Sequence, residues 1–201
     1  MRMHVVSLVA GSILFGVAAS AAAVVAGAAA PGFTITDTSG RAVTLADYKG
    51  KYVVLEWTNP ECPFVRKHYS SGNMQALQKD WGSRNVVWLS INSTNAASFE
   101  FKTPREMSDW MKAQGAVPSA TLLDSTSGTA RAYAAKTTPH MFVVDPGGTI
   151  VYAGAIDDKR SANPADAKTA NNYVRAALTE AMAGKPVTIA STTPYGCSVK
   201  Y

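Results

Sequence analysis

Hydrophobic and polar positions follow patterns along the chain that predict a series of short β-strands. Alternating segments at residues 33–37 and 42–45 flank the turn Ser39-Gly40, which predicts a β-hairpin. Nearly continuous apolar runs are typical of strands buried on both faces of a sheet. Further strands are predicted over residues 51–58, 86–92, 120–123, 140–145 and 149–153. The last two flank Pro146-Gly147-Gly148, which predicts a second hairpin.

Apolar residues at helical spacing predict helices between these strands. The clearest start signal is Thr103-Pro104-Arg105-Glu106, a capping box with proline at the first helical position. It predicts a helix that ends near Gln114. Other helices are predicted over residues 70–81, over residues 126–135, and from Asp166 to a stop at Gly184. This order of elements predicts an α/β sandwich with helices on both faces of a mixed sheet.

The first thirty residues have the composition of an export signal. Arg2 precedes an uncharged run rich in Ala, Val, Gly and Leu, and Ala26-Gly27-Ala28 resembles a cleavage site. We expect a mature protein that begins near Ala29 and is periplasmic or secreted. Cleavage after Ala21 is an alternative, and an uncleaved run is long enough to span a bilayer, since about 20 apolar residues suffice. Only in that case do we expect contact with a membrane.

The remaining chain predicts one domain and a tail. We expect residues 1–28 to be a signal peptide, residues 29–184 a single domain, and residues 185–201 a C-terminal tail. The formal net charge is +5, but the Lys and Arg residues are scattered and form no basic stripe. A nucleic-acid partner is therefore not expected.

The candidate chemistry is concentrated at the first of two cysteines, Cys62 and Cys197. Exported chains meet an oxidising compartment where thiols can pair. Cys62 follows a predicted strand, and Pro63 suits the first turn of a helix. Unpaired N–H groups and the positive end of the helix dipole favour the thiolate form there. Nearby Arg66, Lys67 and His68 are expected to add positive charge, which Glu61 opposes.

Two long segments carry a family resemblance. PGFTITDTSGRAVTLADYKGKYVVLEWTNPECP resembles the opening of the redoxin group, which spans alkyl hydroperoxide reductase/thiol-specific antioxidant proteins and thioredoxin-like thiol-disulfide reductases. KTTPHMFVVDPGGTIVYAGAIDD resembles the proline loop and following hairpin of that group. With the ending YGCSVKY, the chain is most similar to a peroxiredoxin-like exported branch. The resemblance implies a thioredoxin-like three-layer α/β sandwich with a mixed central sheet and an N-terminal β-hairpin.

The active-site motif departs from the family pattern. Cys62 falls where thioredoxins carry their attacking cysteine, but Val65 occupies the position of the second cysteine. The threonine, proline and arginine that peroxiredoxins use correspond to Asn59, Leu55 and Pro139. Both standard mechanisms therefore lack parts, and peroxidase activity does not carry over directly.

The resemblance nevertheless implies roles for several residues. Thr138-Pro139 resembles the cis-proline loop, which packs beside the active cysteine and offers backbone groups to an extended thiol substrate. Glu56 occupies the position of a buried acid; its pKa is expected to be raised, and it is a candidate proton carrier or, alternatively, a hydrogen-bonded structural residue. The candidate pocket residues are Trp57, Thr58, Asn59 and Pro63. As core or turn residues, the first three would look the same in the sequence.

Cys197 offers a replacement for the missing second cysteine. The tail from Gly184 spans about 43 Å when extended, which exceeds an expected domain radius of about 15 Å, so Cys197 can reach Cys62. We expect Cys62 to attack and Cys197 to resolve the intermediate, within the chain or from a partner subunit. A permanent structural disulfide is the alternative reading.

These features predict an exported, cysteine-based oxidoreductase that acts on hydroperoxides or protein disulfides. A thiol electron donor of unknown identity is implied, and no cofactor or resident metal is expected. Two alternatives remain open at this stage. One is a copper-handling protein in which Cys62, His68 and His140 converge, and the other is a redox-inert interaction module.

Overall fold

The fold is known from a computed structural model, which describes residues 24–201. The strands are β1 Thr34–Thr36, β2 Ala42–Thr44, β3 Val53–Trp57, β4 Val87–Asn92, β5 Ala120–Leu123, β6 Thr137–Thr138, β7 His140–Val144, β8 Ile150–Gly154 and β9 Cys197–Ser198. The α-helices are α1 Pro63–Ser70, α2 Asn73–Gly82, α3 Pro104–Ala113, α4 Gly128–Ala132 and α5 Tyr173–Met182. Short 3₁₀ helices cover Leu45–Tyr48 and Pro164–Lys168.

The central sheet has the strand order β5-β4-β3-β7-β8. β3, β4 and β5 run parallel, whereas β7 is antiparallel to β3 and β8 is antiparallel to β7. The predicted mixed sheet is therefore confirmed, and so is the N-terminal hairpin, in which β1 pairs with β2. The carboxyl end of β3 leads directly into the segment that carries Cys62.

Alternate residues of β3 point into two separate cores. Val54 lies in a core with side chains of α1, α2, α3 and α5, and this core includes Cys62. Val53, Leu55 and Trp57 lie in a second core on the opposite face, with side chains of the hairpin and of α4. The molecule is thus the predicted three-layer sandwich, with most helices on the face that carries Cys62.

Local signals predicted most element boundaries closely. The capping box is present: the Glu106 backbone N–H donates to Thr103 Oγ1 at 3.3 Å, and the Thr103 N–H donates to Glu106 Oε2 at 2.8 Å. The predicted start of the last helix at Asp166 is wrong, since a 3₁₀ helix occupies that segment. α5 instead begins after Asn172, whose side chain accepts from the Arg175 N–H at 2.9 Å.

The two ends of the described chain also pair with the domain. The Gly27 N–H donates to the Ile150 carbonyl at 2.8 Å, and the Ile150 N–H donates to Ala28 at 2.9 Å. At the other end, the tail contributes β9, which its sequence does not predict. The predicted signal peptide lies almost entirely outside the described residues. Within residues 24–201, the helices are too short or too polar to traverse a bilayer.

Candidate active site

Cys62 is placed by a tight turn between β3 and α1. Asn59 organises this turn, because its side-chain Oδ1 accepts the Glu61 N–H at 2.9 Å and its backbone carbonyl accepts the Cys62 N–H at 3.1 Å. Cys62 is the N-cap residue of α1, and Pro63 occupies the first turn as expected. The Cys62 thiol therefore lies at the positive end of this helix.

The loop before β7 packs against the thiol. The Thr138–Pro139 peptide bond is cis, as the resemblance implied. The Cys62 thiol donates a hydrogen bond to the Thr138 carbonyl oxygen at 2.9 Å. This contact joins the N-terminus of α1 to the backbone of β6.

The C-terminal tail brings the second cysteine to the same point. β9 pairs antiparallel with β6, and Cys197 lies opposite Thr138 in the register. The preceding Gly196 has a positive φ of 141°, and a Cβ there would overlap the Thr138 carbonyl oxygen and lie 2.7 Å from its carbon. Glycine is thus required for the close approach of the tail to the Thr138 backbone.

The two cysteines are free thiols. Burial, together with the adjacent Cys62, raises the pKa of the Cys197 thiol to about 12. Cys62 is 1% exposed, whereas Cys197 is only half-buried. The Cys62 thiol therefore has almost no surface in contact with solvent in this conformation.

The basic residues of α1, Arg66, Lys67 and His68, interact with groups other than the Cys62 thiol. Arg66 donates to Glu61 at 2.7 Å and to the Pro60 carbonyl at 2.6 Å, while Lys102 also pairs with Glu61 at 2.7 Å. Burial and the neighbouring Lys67 lower the pKa of His68 to about 3, so its ring is neutral. The expectation that His68 adds positive charge near Cys62 is wrong, and the helix terminus remains as the main local source of positive potential.

Lys67 belongs to a buried polar cluster that the sequence did not reveal. Its Nζ contacts Asp157 Oδ2 at 3.4 Å, the Lys159 carbonyl at 2.6 Å and the Tyr195 hydroxyl at 3.2 Å. The Tyr195 hydroxyl in turn donates to Asp157 and lies 3.4 Å from His68 Nε2. Tyr195 precedes Cys197 by two residues, so this cluster fixes the tail to α1. An isolated lysine gives no sequence signal for such burial, because lysines are usually exposed.

Comparisons with known proteins place this geometry in a family. Residues 26–153 match the model of the AhpC/TSA family. The chain belongs to the AhpC/TSA family. It is 27% identical over 132 residues to the thiol-disulfide oxidoreductase ResA of Bacillus subtilis (strain 168), a match that covers 62% of this chain and 64% of that protein. The match thus spans slightly less than two thirds of this relative.

Solved structures share the architecture of this AhpC/TSA chain. An uncharacterized conserved protein from Geobacillus kaustophilus is 30% identical, with a TM-score of 0.77 and coverage of 88% of this chain and 92% of that one. The thioredoxin domain of a thiol-disulfide oxidoreductase from Bacteroides vulgatus is 23% identical, with a TM-score of 0.52 and coverage of 64% and 86%. The second likeness supports the thioredoxin-like fold alone.

Glu56 of this AhpC/TSA chain is a fully buried acid, as expected. Burial raises the pKa of its carboxyl group, although four hydrogen bonds oppose that shift. Donors from α1, α2 and β4 converge on the carboxylate: Tyr69, Trp88 and Ser90 each at 2.8 Å and Gln78 at 3.5 Å. Glu56 therefore has the hydrogen-bonded structural role that the sequence allowed, and its role as a proton carrier stays a prediction.

The other candidate pocket residues divide between two places. Trp57 lies in the opposite core, where its ring packs 5.3 Å from Tyr133 and 5.4 Å from Phe142, so it is a core residue. Thr58 and Asn59 are buried at the carboxyl end of β3, and the Asn59 side chain also donates to Glu100 at 2.6 Å. Asn59 acts as a turn residue that positions Cys62. Substrate contacts of Thr58, Pro63, Thr138 and Pro139 stay predictions.

The residues considered for copper do not form a metal site. No cluster of three or more His, Cys, Asp or Glu side chains suited to a metal ion is found between residues 24 and 201. His68 instead bonds to Asn73 at 3.0 Å, and His140 accepts the Lys136 N–H at 3.2 Å. The geometry therefore gives no support to the copper alternative.

Proposed function

We propose that this protein is a thiol-disulfide oxidoreductase in which Cys62 and Cys197 cycle between a dithiol and an intrachain disulfide. The observation that carries the proposal is that both cysteines meet at Thr138: the Cys62 thiol donates to its carbonyl oxygen at 2.9 Å, and Cys197 of β9 lies opposite it in the register. In this chain the tail supplies the second cysteine, Cys197, because the position of the second cysteine in the helix is occupied by Val65. A disulfide requires Cα atoms within about 7 Å, and the antiparallel pairing of the tail with the proline loop keeps Cys197 beside that loop.

The cycle balances as a two-electron exchange. A substrate disulfide takes two electrons and two protons from the dithiol, which leaves two substrate thiols and a bond between Cys62 and Cys197. A thiol donor later restores the dithiol by the reverse exchange. The printed name of the Bacillus subtilis relative describes this class of chemistry, and protein disulfides are therefore the substrates that we favour.

Hydroperoxides are the second substrate class. A small peroxide needs less space than a protein disulfide to reach the buried Cys62 thiol. A peroxide would convert Cys62 to a sulfenic acid and release an alcohol or water, and Cys197 would then displace a second water to form the same disulfide. The residues Leu55, Asn59 and Pro139 stand where peroxiredoxins carry their catalytic partners, so we expect this reaction to be slower than disulfide exchange.

Location outside the cytoplasm is part of the proposal, because disulfides form and persist most readily in oxidising compartments. Gly27 and Ala28 are hydrogen-bonded to Ile150. Cleavage after Ala21 keeps these bonds in the mature chain, whereas cleavage after Ala28 removes the two residues. We therefore favour the earlier site, and N-terminal sequencing of the exported protein tests this choice.

A single-turnover experiment tests the function. Reduced protein is mixed with one equivalent of glutathione disulfide, and we expect two glutathione thiols to be released per chain. Cys62→Ser, which keeps the half-buried Cys197 thiol, should release only one and retain the other as an adduct. A parallel reaction with hydrogen peroxide compares the substrate classes. An unchanged thiol titre with both oxidants would refute the proposal and favour an inert interaction module.

A further inference from the structure

The two cysteines differ in their access to solvent. Cys62 is 1% exposed, and its thiol donates to the Thr138 carbonyl. Cys197 retains part of its surface in contact with solvent. A reactant that approaches the docked tail therefore meets Cys197 before Cys62.

The tail is anchored firmly on the N-terminal side of Cys197. The Tyr195 hydroxyl is buried against Asp157 and Lys67, and its ring packs 5.8 Å from Phe64. Further back, the Thr192 N–H donates to the Ala153 carbonyl at 3.1 Å. A Cβ on the adjacent Gly154 would lie 2.8 Å from the Thr192 nitrogen, which shows how closely the tail is applied to β8.

The tail is also anchored on the C-terminal side of Cys197. The Val199 N–H donates to the Lys136 carbonyl at 3.2 Å, and Lys200 pairs with Glu100 at 3.3 Å. The Tyr201 hydroxyl donates to the Ala135 carbonyl. Contacts on both sides of Cys197 thus hold it docked opposite Thr138, where it keeps part of its surface exposed.

We propose that Cys197 is the sulfur at which external thiols and disulfides react, and that Cys62 is the covered partner that opens and closes the intrachain bond. This inference rests on the proposed function. It assigns to the tail cysteine the contact with substrate that the sequence assigned to Cys62.

The exchange then follows a defined order of bonds. In the oxidised protein, an external thiolate attacks Cys197 Sγ; the bond between Cys62 and Cys197 breaks, and its electron pair leaves on Cys62. That thiolate forms at the N-terminus of α1, which stabilises it. A second external thiolate attacks the external sulfur of the mixed disulfide, forms an external disulfide, and leaves its electron pair on Cys197, which takes a proton from water.

The electrostatics of the dithiol agree with this order. Burial and the adjacent Cys62 raise the pKa of the Cys197 thiol to about 12. Cys197 is therefore a poor leaving group, since a thiol with a higher pKa leaves more slowly.

Steric access can be measured separately from reactivity. Single-cysteine variants Cys62→Ser and Cys197→Ser are each treated with two neutral reagents, small methyl methanethiosulfonate and larger dithiodipyridine. Both reagents react with the thiolate, so the ratio of the two rates reports access and not ionisation. We expect the ratio at Cys197 to match that of free N-acetylcysteine within about threefold, and the ratio at Cys62 to disfavour the larger reagent at least about tenfold. Equal ratios at the two sites, or greater hindrance at Cys197, would overturn the proposal.

Loosening the tail provides a second readout. In the Cys197→Ser background, Tyr195→Phe removes the buried hydroxyl and keeps the ring, and Lys200→Ala removes the pair with Glu100. Each should raise the relative rate of the larger reagent at Cys62 by about threefold or more, because the hydrogen-bonding gain of each contact is of order 1 kcal/mol. Tyr52→Phe is the control, since it also removes one partly buried hydroxyl, which donates at 2.8 Å to Ala181 of α5 and not to a residue near Cys197.

An unchanged rate ratio in both loosened variants, with far-UV circular dichroism that shows a folded chain, would mean that the tail is not the cover. These outcomes are independent of the proposed function. That function is refuted only if the wild-type chain fails to form the intrachain disulfide.

Discussion

Gly196→Ala should separate Cys197 from Cys62 without a change at either sulfur. The added Cβ would lie 2.7 Å from the Thr138 carbonyl carbon and overlap its oxygen. Carbon atoms in contact prefer a separation of about 3.5–4.0 Å, so the tail must move away from Thr138 by about 1 Å. Hydrogen bonds between β6 and β9 would then exceed the normal N···O range of about 2.7–3.2 Å.

The expected change in the equilibrium constant for disulfide formation depends on whether the dithiol or the disulfide form keeps the strain. In the dithiol the segment around Cys197 can shift away from Thr138 between its two anchors and relieve the overlap, but in the disulfide the bond holds Cys197 against Cys62. Overpacking of this kind costs about 1–3 kcal/mol. Because about 1.4 kcal/mol corresponds to a factor of ten, the equilibrium constant for disulfide formation should fall about 5- to 150-fold.

The assay is equilibration in glutathione redox buffers, followed by acid quench, alkylation and mass spectrometry. Gly148→Ala is the matched control: this glycine also has a positive φ, of 88°, but a Cβ there meets nothing within 4 Å. We expect the control to keep the wild-type equilibrium constant. A folded Gly196→Ala protein whose constant stays within about twofold of wild type, against the expected range above, would refute the reasoning that this contact holds the pair together.

Two further predictions concern buried titratable groups. Glu56→Gln should lower the free energy of unfolding by about 1–3 kcal/mol in urea titrations, since its amide would face one of the four donors. If Glu56 also carries protons, the pH dependence of disulfide closure, measured by stopped-flow kinetics, should change as well. Burial lowers the pKa of both His68 and His140 from 6.5 to about 3. The unfolded chain therefore binds more protons between these values, and stability, fully present above pH 6.5, should fall toward pH 3 by about 1.4 kcal/mol per pH unit for each histidine. In urea titrations, His140→Gln should reduce this slope, and an unchanged slope would contradict the assigned burial effect.

Local patterns in the sequence were sufficient for most of the fold. The apolar runs that became β3 and β4 are buried on both faces, and the Thr103 capping box uses only residues within one turn. The turn at Ser39-Gly40 and the hairpin at Pro146 likewise depend on neighbours in the chain. Such elements are predictable because the interactions that define them are close in sequence.

The parts of the site that the sequence did not reveal depend on distant contacts. β9 is two residues long, and its pairing with Thr137–Thr138 leaves no periodic pattern in the tail. The burial of Lys67 depends on Asp157 and Tyr195, which lie 90 and 128 positions away in the chain. The burial of Cys62 also involves a distant contact, since the carbonyl that accepts from its thiol belongs to Thr138, 76 positions away. The length of the tail showed that Cys197 can reach Cys62. Only the structure identified the β6 backbone that pairs with the segment around Cys197.

The central claim is that Cys62 and Cys197 form a reversible intrachain pair, and non-reducing peptide mapping of the wild-type chain across a series of glutathione redox buffers tests it most directly. The account predicts one two-electron transition in which a single peptide pair, linked through these two cysteines, appears and disappears in a monomeric chain. Two free thiols under every oxidising buffer, or disulfides only between separate chains, would contradict it.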